Sequence, residues 1–451
     1  MGNVLQLAVL LFSYAHALQH TYRVVFRDVH AAFRSEDVHS AAHDLGGRVE
    51  HVSTTSARLQ LPDDAAAATL AERSVLVRYV LEEWGAGATL REAASRACVP
   101  PNSPLANGAS WRIRVQQAGR RTGLVNAHDP SLFEALGGLL DTLPGPVRLK
   151  NAEEDVAVLL RGETVVVGRV VARGCAAELL SQSWSCVGLQ CFRHRSIARR
   201  YRVADRAYRG STTMDATLAF VTASFARVRP GDLVVDPFCG TGGNLLAACH
   251  MSRRPGIGAD ADARTLLRGT ANCENGSLKL DARLRKAQNM ANVGGRREKK
   301  RGEPSLPSDA SIRRNFLDRG LDPPRLVVSD VAALDGRLDD EEYYFDGGYV
   351  TVDAVDAIVC DPPYGVRERI DVGVEGAPPW RPALFALAAK RLRAGRRLAF
   401  WVPSSQAAAP ELAGEIGREL PPSLSVVAAA TQALGGTRAR TLLAVEKSLN
   451  S

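Results

Sequence analysis

Two acidic stretches carry residue types that could do chemistry. The first is Asp236-Pro237-Phe238-Cys239-Gly240-Thr241-Gly242-Gly243. It follows the apolar run Leu233-Val234-Val235 and precedes Asn244-Leu245-Leu246-Ala247-Ala248-Cys249. The run reads as a buried strand and the later segment as a helix, with a glycine turn between them. Glycines let the backbone bend sharply and a ligand approach it closely, and the free N–H groups at a helix start favour a carboxylate or phosphate. The turn is thus one end of a nucleotide-type cofactor site. It is neither Gly-x-Gly-x-x-Gly nor Gly-Lys-Ser/Thr, which makes a dinucleotide or nucleoside triphosphate the weaker reading. The second stretch, Asp361-Pro362-Pro363-Tyr364-Gly365, follows the strand-like Ala357-Ile358-Val359-Cys360. Consecutive prolines fix φ and remove donors, leaving carbonyls as acceptors. With the Asp361 carboxylate as a second acceptor and the Tyr364 ring as a stacking face, a planar group could be held by its exocyclic NH2. That suits methyl transfer to an amino nitrogen of a base; the alternative is a plain Pro-rich turn.

The elements that must position these acids are short strands followed by helices. Gly256-Ile257-Gly258-Ala259-Asp260 reads as the next strand, with an acid where Rossmann logic places the acceptor for ribose hydroxyls; Asp262 is an alternative. Arg325-Leu326-Val327-Val328-Ser329-Asp330 ends in an acid placed for an adenine amino group, or else a helix-capping Asp. Arg396 to Pro403 reads as a fifth strand. Leu424 to Ala428 and Thr441 to Val445 read as a terminal antiparallel pair, and Thr217 to Thr222 as a helix ahead of the first strand.

The 451 residues suffice for two or three domains with cores, and 45% hydrophobic with 24% charged residues is ordinary for a globular chain. A net charge of +8 permits an anionic partner without requiring one. The eight cysteines (Cys98, Cys175, Cys186, Cys191, Cys239, Cys249, Cys273 and Cys360) show no C-x2-C spacing, so no metal site is read from the chain. Sparse thiols in apolar runs suit a reducing compartment, and a cytoplasmic location is expected. Val4 to Phe12 with Ala15-His16-Ala17 could be a signal segment within residues 1–18, although no Lys or Arg precedes it; a first strand or helix is the alternative. No run of 18 or more apolar residues occurs, so no membrane span is expected.

Residues 1–85 read as a small α/β module: Tyr22 to Phe26 and Ser56 to Leu61 alternate as strands, and Ser35 to Leu45 forms a capped helix stopped by Gly46-Gly47. Residues 86–192 form a second module. Trp111 to Val115 reads as a strand and Asp129 to Leu140 as a helix, with Ala157 to Leu160 and Thr164 to Val167 pairing around Arg161-Gly162-Glu163. Candidate RNA contacts there are Arg148, Lys150, Arg169 and Arg173, with solvated surface charge as the alternative. A basic linker, residues 193–212, carries Arg193, Arg195, Arg199 and Arg200 as further candidates. Residues 213–451 form the catalytic domain. Its stretch 282–311, with Arg296-Arg297-Glu298-Lys299-Lys300-Arg301, reads as a flexible insertion.

The Asp236 turn together with Asp361-Pro362-Pro363-Tyr364-Gly365-Val366-Arg367-Glu368 resembles the S-adenosylmethionine-dependent amino-methyltransferases. More narrowly, it resembles the catalytic subunit of the tRNA guanosine-10 N2-methyltransferases. Arg206 to Asp215 is similar to that family's entry into the catalytic domain, and Gly145 to Asn151 and Gly168 to Ala172 to its RNA-binding THUMP region. The resemblance covers roughly residues 110 to 405, with gaps, and is strongest from Tyr201 onward. It implies an α/β protein: a Rossmann-like class I methyltransferase sheet preceded by an α/β THUMP-type RNA-binding region, with residues 1–85 as an adaptor. It implies S-adenosylmethionine as cofactor, with Asp236, Phe238, Gly240, Thr241 and Gly242 at its amino-acid end, Asp260 at its ribose and Asp330 at its adenine. Asp361, Pro362, Pro363 and Tyr364 would hold the target base. The implied product is N2-methylguanosine in tRNA at guanosine 10. The implied partners are tRNA and a small zinc-binding activator subunit, which could cover the surface near Gly256 to Ala259. Guanine N2 in ribosomal RNA, adenine N6 in DNA, and an idle RNA-binding protein remain alternatives.

Overall fold

Apolar runs of two periodicities sort the described residues into two mixed α/β units. The structure is a computed structural model and describes residues 20–118, 130–161, 164–174, 200–210, 213–266, 311–339, 352–363, 380–405 and 409–449. The chain divides into two units, Met1–Arg199 and Arg200–Ser451.

In the first unit the elements run β1 (His20–Phe26), α1 (Arg34–Asp44), β2 (Arg48–Val52), β3 (Ser56–Leu61), α2 (Asp64–Arg73), β4 (Val77–Gly87), α3 (Leu90–Ser95), β5 (Trp111–Ala118), α4 (Pro130–Leu140), β6 (Glu154–Arg161) and β7 (Thr164–Arg173). The strands form one sheet in the order β2-β3-β1-β4-β7-β6-β5. All pairings are antiparallel except β5 with β6. Helix α2 is capped by Asp63, whose side chain accepts the Ala66 N–H at 2.8 Å. Tyr22, Val24, Leu59, Leu61, Ala67 and Leu70 form one buried core, and Trp84, Leu132, Leu136, Val156 and Val167 another.

Strand β4 crosses the expected boundary between modules 1–85 and 86–192. It pairs with β1 on one side and β7 on the other, so the residues of both modules share one sheet. Its sequence hides this, because Glu82 and Glu83 break the apolar run. Glu82 is buried and Glu83 half-buried, and both are paired: Glu83 with Arg23 and Arg58, Glu82 with Arg169.

In the second unit the elements run α5 (Ala216–Phe225), β8 (Val234–Asp236), α6 (Gly243–Ser252), β9 (Ile257–Asp260), α7 (Ala263–Leu266), α8 (Ile312–Leu317), β10 (Arg325–Val328), α9 (Val331–Leu338), β11 (Val355–Cys360), α10 (Trp380–Arg391), β12 (Leu392–Ser405), α11 (Ala409–Glu419), β13 (Leu424–Gly435) and β14 (Arg438–Lys447). Strand order is β10-β9-β8-β11-β12-β14-β13. The first five are parallel, while β14 lies antiparallel between β12 and β13. Strands β8 and β11 are buried throughout, as parallel strands covered on both faces must be. Chain order reverses between β8 and β11, and a parallel sheet binds ligands beyond the strand ends at that reversal.

Residues 200–210 were expected within the basic linker, but they pack into the second unit. Tyr201 is buried edge-on against Phe220 at 5.3 Å and bonds His250 Nδ1 through its hydroxyl at 2.9 Å. Tyr208 and Asn315 exchange two hydrogen bonds, of 3.0 and 2.6 Å. No helix among the described residues is long and apolar enough to cross a membrane.

Candidate active site

Strand β8 delivers Asp236 to the carboxyl edge of the sheet, and the glycine turn follows it at once. Gly240 and Gly242 take φ of +51° and +81°, in the left-handed region that glycine adopts without a steric penalty. Gly242 starts α6 with no side-chain cap, so the helix N-terminus stays open. Thr241 Oγ1 meets Thr213 Oγ1 at 2.9 Å, tying the turn to the segment that enters the unit. Phe238 packs edge-on against Trp380 at 5.8 Å.

Three acids meet here. Asp236, 1% exposed, accepts the Phe238 N–H at 3.0 Å. Burial, reinforced by the charges of Asp260 and Asp361, pushes its carboxyl well above the usual carboxylate range. Asp260 accepts the Gly240 N–H at 2.8 Å through Oδ2 and the Asp262 N–H at 2.9 Å through Oδ1. Burial also raises its carboxyl, against the pull of those two bonds. Asp361 leaves β11 beside β8, since Ile358 pairs with Val235. Pro362 after it is buried and Pro363 half-buried. Tyr364 and the following Gly365, Arg367 and Glu368 lie outside the described residues.

Asp330 is exposed and caps α9, with Oδ1 accepting the Ala333 N–H at 2.9 Å. The capping alternative therefore accounts for that oxygen. Gly256 and Gly258 serve packing inside the unit. A Cβ on Gly258 would lie 2.5 Å from Cys239 Sγ, and one on Gly256 2.8 Å from Leu245 Cδ1. Strand β9, which holds Gly258, is buried from Ile257 to Ala259.

Several functional candidates carry no signal in the sequence. Arg440, on β14, places Nη1 3.7 Å from Asp361 Oδ2, and its guanidinium stacks over Trp401 with Cζ 4.4 Å from the ring centre. Arg206 is 4% exposed, and burial beside Arg319 brings its pKa down to about 10. Arg206 Nη1 and Asn244 Oδ1 are buried without a hydrogen-bond partner among the described residues. A Cβ on Gly243 would lie 3.4 Å from that Nη1, placing it against the start of α6. A lone arginine ahead of a helix gives no hint of burial.

Of the RNA candidates, Arg148 and Lys150 are exposed, beside the exposed Val147 and Leu149. Arg169 is corrected. It is 4% exposed and enclosed by Glu82, Asp64 and Glu154, so it is a structural ion pair with no face for RNA. Arg173 is half-buried and bonds Asp155 at 2.9 Å. Arg200 is exposed, with its guanidinium near the Tyr201 ring and donating to the Arg319 carbonyl. Arg193, Arg195, Arg199 and the insertion 282–310 lie outside the described residues.

The strand order and the acids at its carboxyl edge define a class I, Rossmann-like methyltransferase unit, which follows an α/β unit in the sequence. Known proteins agree with both halves. Residues 20–166 match the Tmrp11 THUMP N-terminal domain, and residues 199–295 the RMKL-like methyltransferase domain. The tRNA (guanine(10)-N(2))-methyltransferase TRMT11 of Xenopus laevis is 28% identical over 94% of this chain and 84% of its own length. Its Homo sapiens counterpart is 24% identical over 94% and 88%. The tRNA (guanine(10)-N(2))-methyltransferase of Saccharomyces cerevisiae is 25% identical over 85% and 84%. Among solved structures, TrmN from Thermus thermophilus aligns with 95% of this chain and 100% of its own at 19% identity, with a TM-score of 0.39. Over most of its length the chain is similar to the tRNA (guanine(10)-N(2))-methyltransferases.

Proposed function

We propose that this chain methylates the exocyclic N2 of guanosine 10 in tRNA, with S-adenosylmethionine as donor. The observation that carries the reading is the pairing of β8 with β11. It sets the glycine turn and Asp236 beside Asp361-Pro362 at the reversal of chain order. The names of the relatives support the substrate, and the THUMP match supports RNA binding.

The residues fit the cofactor. An open helix N-terminus and the orphaned Arg206 Nη1 suit a carboxylate, and the orphaned Asn244 Oδ1 suits an ammonium. Together they match an amino-acid end, beside Asp236, Phe238, Gly240, Thr241 and Gly242. Asp260 would take the ribose and Asp330, through its second oxygen, the adenine. S-adenosylmethionine, when bound, supplies a methyl group already activated on a sulfonium.

The chain's part is to present the acceptor nitrogen. An aryl amino group is a poor nucleophile because its lone pair is delocalised into the ring. Asp361 and the Pro362 carbonyl accept its two N–H groups and favour a more pyramidal nitrogen, an interaction strongest in the transition state. Tyr364 follows as the stacking ring. Arg148 and Lys150 would take phosphates, positioning the RNA without reading its sequence. A small zinc-binding activator, implied by the family resemblance, is the proposed protein partner, and the cytoplasm the proposed location.

The test is transfer of labelled methyl to unmodified tRNA, with and without the activator, followed by nucleoside mapping. N2-methylguanosine at one position is the expected result. Label in ribosomal RNA or DNA instead would keep the chemistry and overturn the substrate.

A further inference from the structure

We propose that Arg440 is a positioning residue of the transfer site, holding the Asp361 carboxylate ionised and oriented as an acceptor for the target amino group. The inference rests on the reading of Asp361 given above and adds what makes that reading workable.

Asp361 sits half-buried at this edge. Its charge acts on Asp236, which faces it from β8, and on the buried Cys360 thiol that precedes it in β11. Where acids gather at one partly buried edge they do not all stay charged, and the buried Asp236 is the member pushed toward its neutral form. A protonated Asp361 would present a donor on the oxygen that must accept. A cation does face it: Arg440, whose Nη1 lies 3.7 Å from Asp361 Oδ2. That separation exceeds a direct hydrogen bond. Arg440 therefore supplies charge without occupying that oxygen's lone pairs.

The guanidinium is held from every side. Its plane lies over Trp401, a fully buried ring whose Nε1 donates to Thr222 Oγ1 at 2.9 Å. Nε donates to Gln432 Oε1 at 2.8 Å, and Nη2 lies 3.3 Å from Met214 Sδ. Asp215, which caps α5, is the other acid acting on it. Strand order makes the contact possible. Arg440 pairs with Pro403, so the final strand reaches across the end of β12 to the acid at the end of β11. An arginine serving only to pack Trp401 would not need the carboxylate.

The test uses the full chain with Arg440→Met, Arg440→Lys and Asp361→Ala. It measures S-adenosylmethionine affinity and single-turnover methylation of unmodified tRNA across pH. Arg440→Met should keep cofactor affinity within about threefold and slow transfer by about tenfold or more at neutral pH. Loss of the cation raises the pKa of Asp361, so the acid limb should move to higher pH and the rate should recover as pH rises. Arg440→Lys should leave the acid limb near its original place. A wild-type-shaped profile for Arg440→Met, or equal impairment of both variants at all pH values, would overturn the proposal. Should Arg440→Met fail to fold, the decision passes to Arg440→Lys and to Arg440→Gln, whose amide offers hydrogen bonds without charge and should show the shifted limb. Asp361→Ala separates the two readings: wild-type turnover there would remove the role of Asp361 itself.

Discussion

The carboxylate of Asp260 accepts the amide N–H of Gly240 at 2.8 Å, so the acid that ends β9 pins the turn that follows β8. One side chain thus shapes the cofactor loop and, in the proposed site, faces the ribose. Asp260→Ala removes both functions. Hydrogen bonds to a charged group contribute about 1.5–3 kcal/mol, so S-adenosylmethionine affinity should fall by roughly 10- to 100-fold. Titration calorimetry of the purified variant measures this. Unchanged affinity would move the ribose role to Asp262, which lies half-buried two residues on.

Gly258 gives a stability test independent of function. Its missing Cβ leaves room for Cys239 Sγ, which would otherwise sit 2.5 Å away, with Leu245 Cδ2 at 3.0 Å and Cys239 Cβ at 3.2 Å beside it. Gly258→Ala should destabilise the second unit by about 1–3 kcal/mol, as overpacking does, and lower its melting temperature by roughly 2–4 °C per kcal/mol. Adding Cys239→Ala should restore part of the loss. Additive effects in the double mutant would show that the two residues do not compete for one space.

The placement of the candidate acids at strand ends was legible in the sequence where its signals are local. Asp236 and Asp361 each end a short apolar strand and start a turn of special residues, so position, strand and turn agree. Asp260 was legible for the same reason. What escaped depends on contacts distant in sequence. Glu82 and Glu83 make β4 look polar, because the arginines that neutralise them sit on β1, β3 and β7. Arg169 looked like a surface cation for the same reason seen from the other side. Arg440 gains meaning only when β14 is inserted between β12 and β13, an order that no run of residues announces. Tyr201 and Arg206 lie in a basic stretch whose burial comes from α5, α6 and α8.

Arg148 and Lys150 should behave oppositely to Arg169. Both are exposed, so Arg148→Gln with Lys150→Gln should leave the fold intact and weaken tRNA binding. The slope of log affinity against log salt should shrink by up to about 0.7–0.9 for each phosphate left without its cation. Filter binding across a salt series reads this directly, and a wild-type slope would remove both residues from the RNA face. Arg169→Met strands Glu82 and Glu154 inside the first unit, so it should destabilise by about 3–5 kcal/mol. Denaturant unfolding monitors that change.

His250 makes the second unit sensitive to acid. Burial, helped by Arg200 and Arg253, lowers its pKa from 6.5 to about 4, so the ring is neutral in the folded state, with Nδ1 hydrogen-bonded to the Tyr201 hydroxyl at 2.9 Å. Unfolding restores the ordinary pKa, so between those two values the unfolded chain binds more protons. This group's contribution is present above about pH 6.5 and disappears as pH falls toward 4. The stability at stake is on the order of 3 kcal/mol, from 1.36 kcal/mol per pKa unit. His250→Phe keeps an aromatic body among Tyr201 and Phe220 but cannot take the proton. Its unfolding free energy should therefore depend less steeply on pH than wild type by about one proton across that window. Equal slopes for the two proteins would show that His250 is protonated in the folded state as readily as in the unfolded chain.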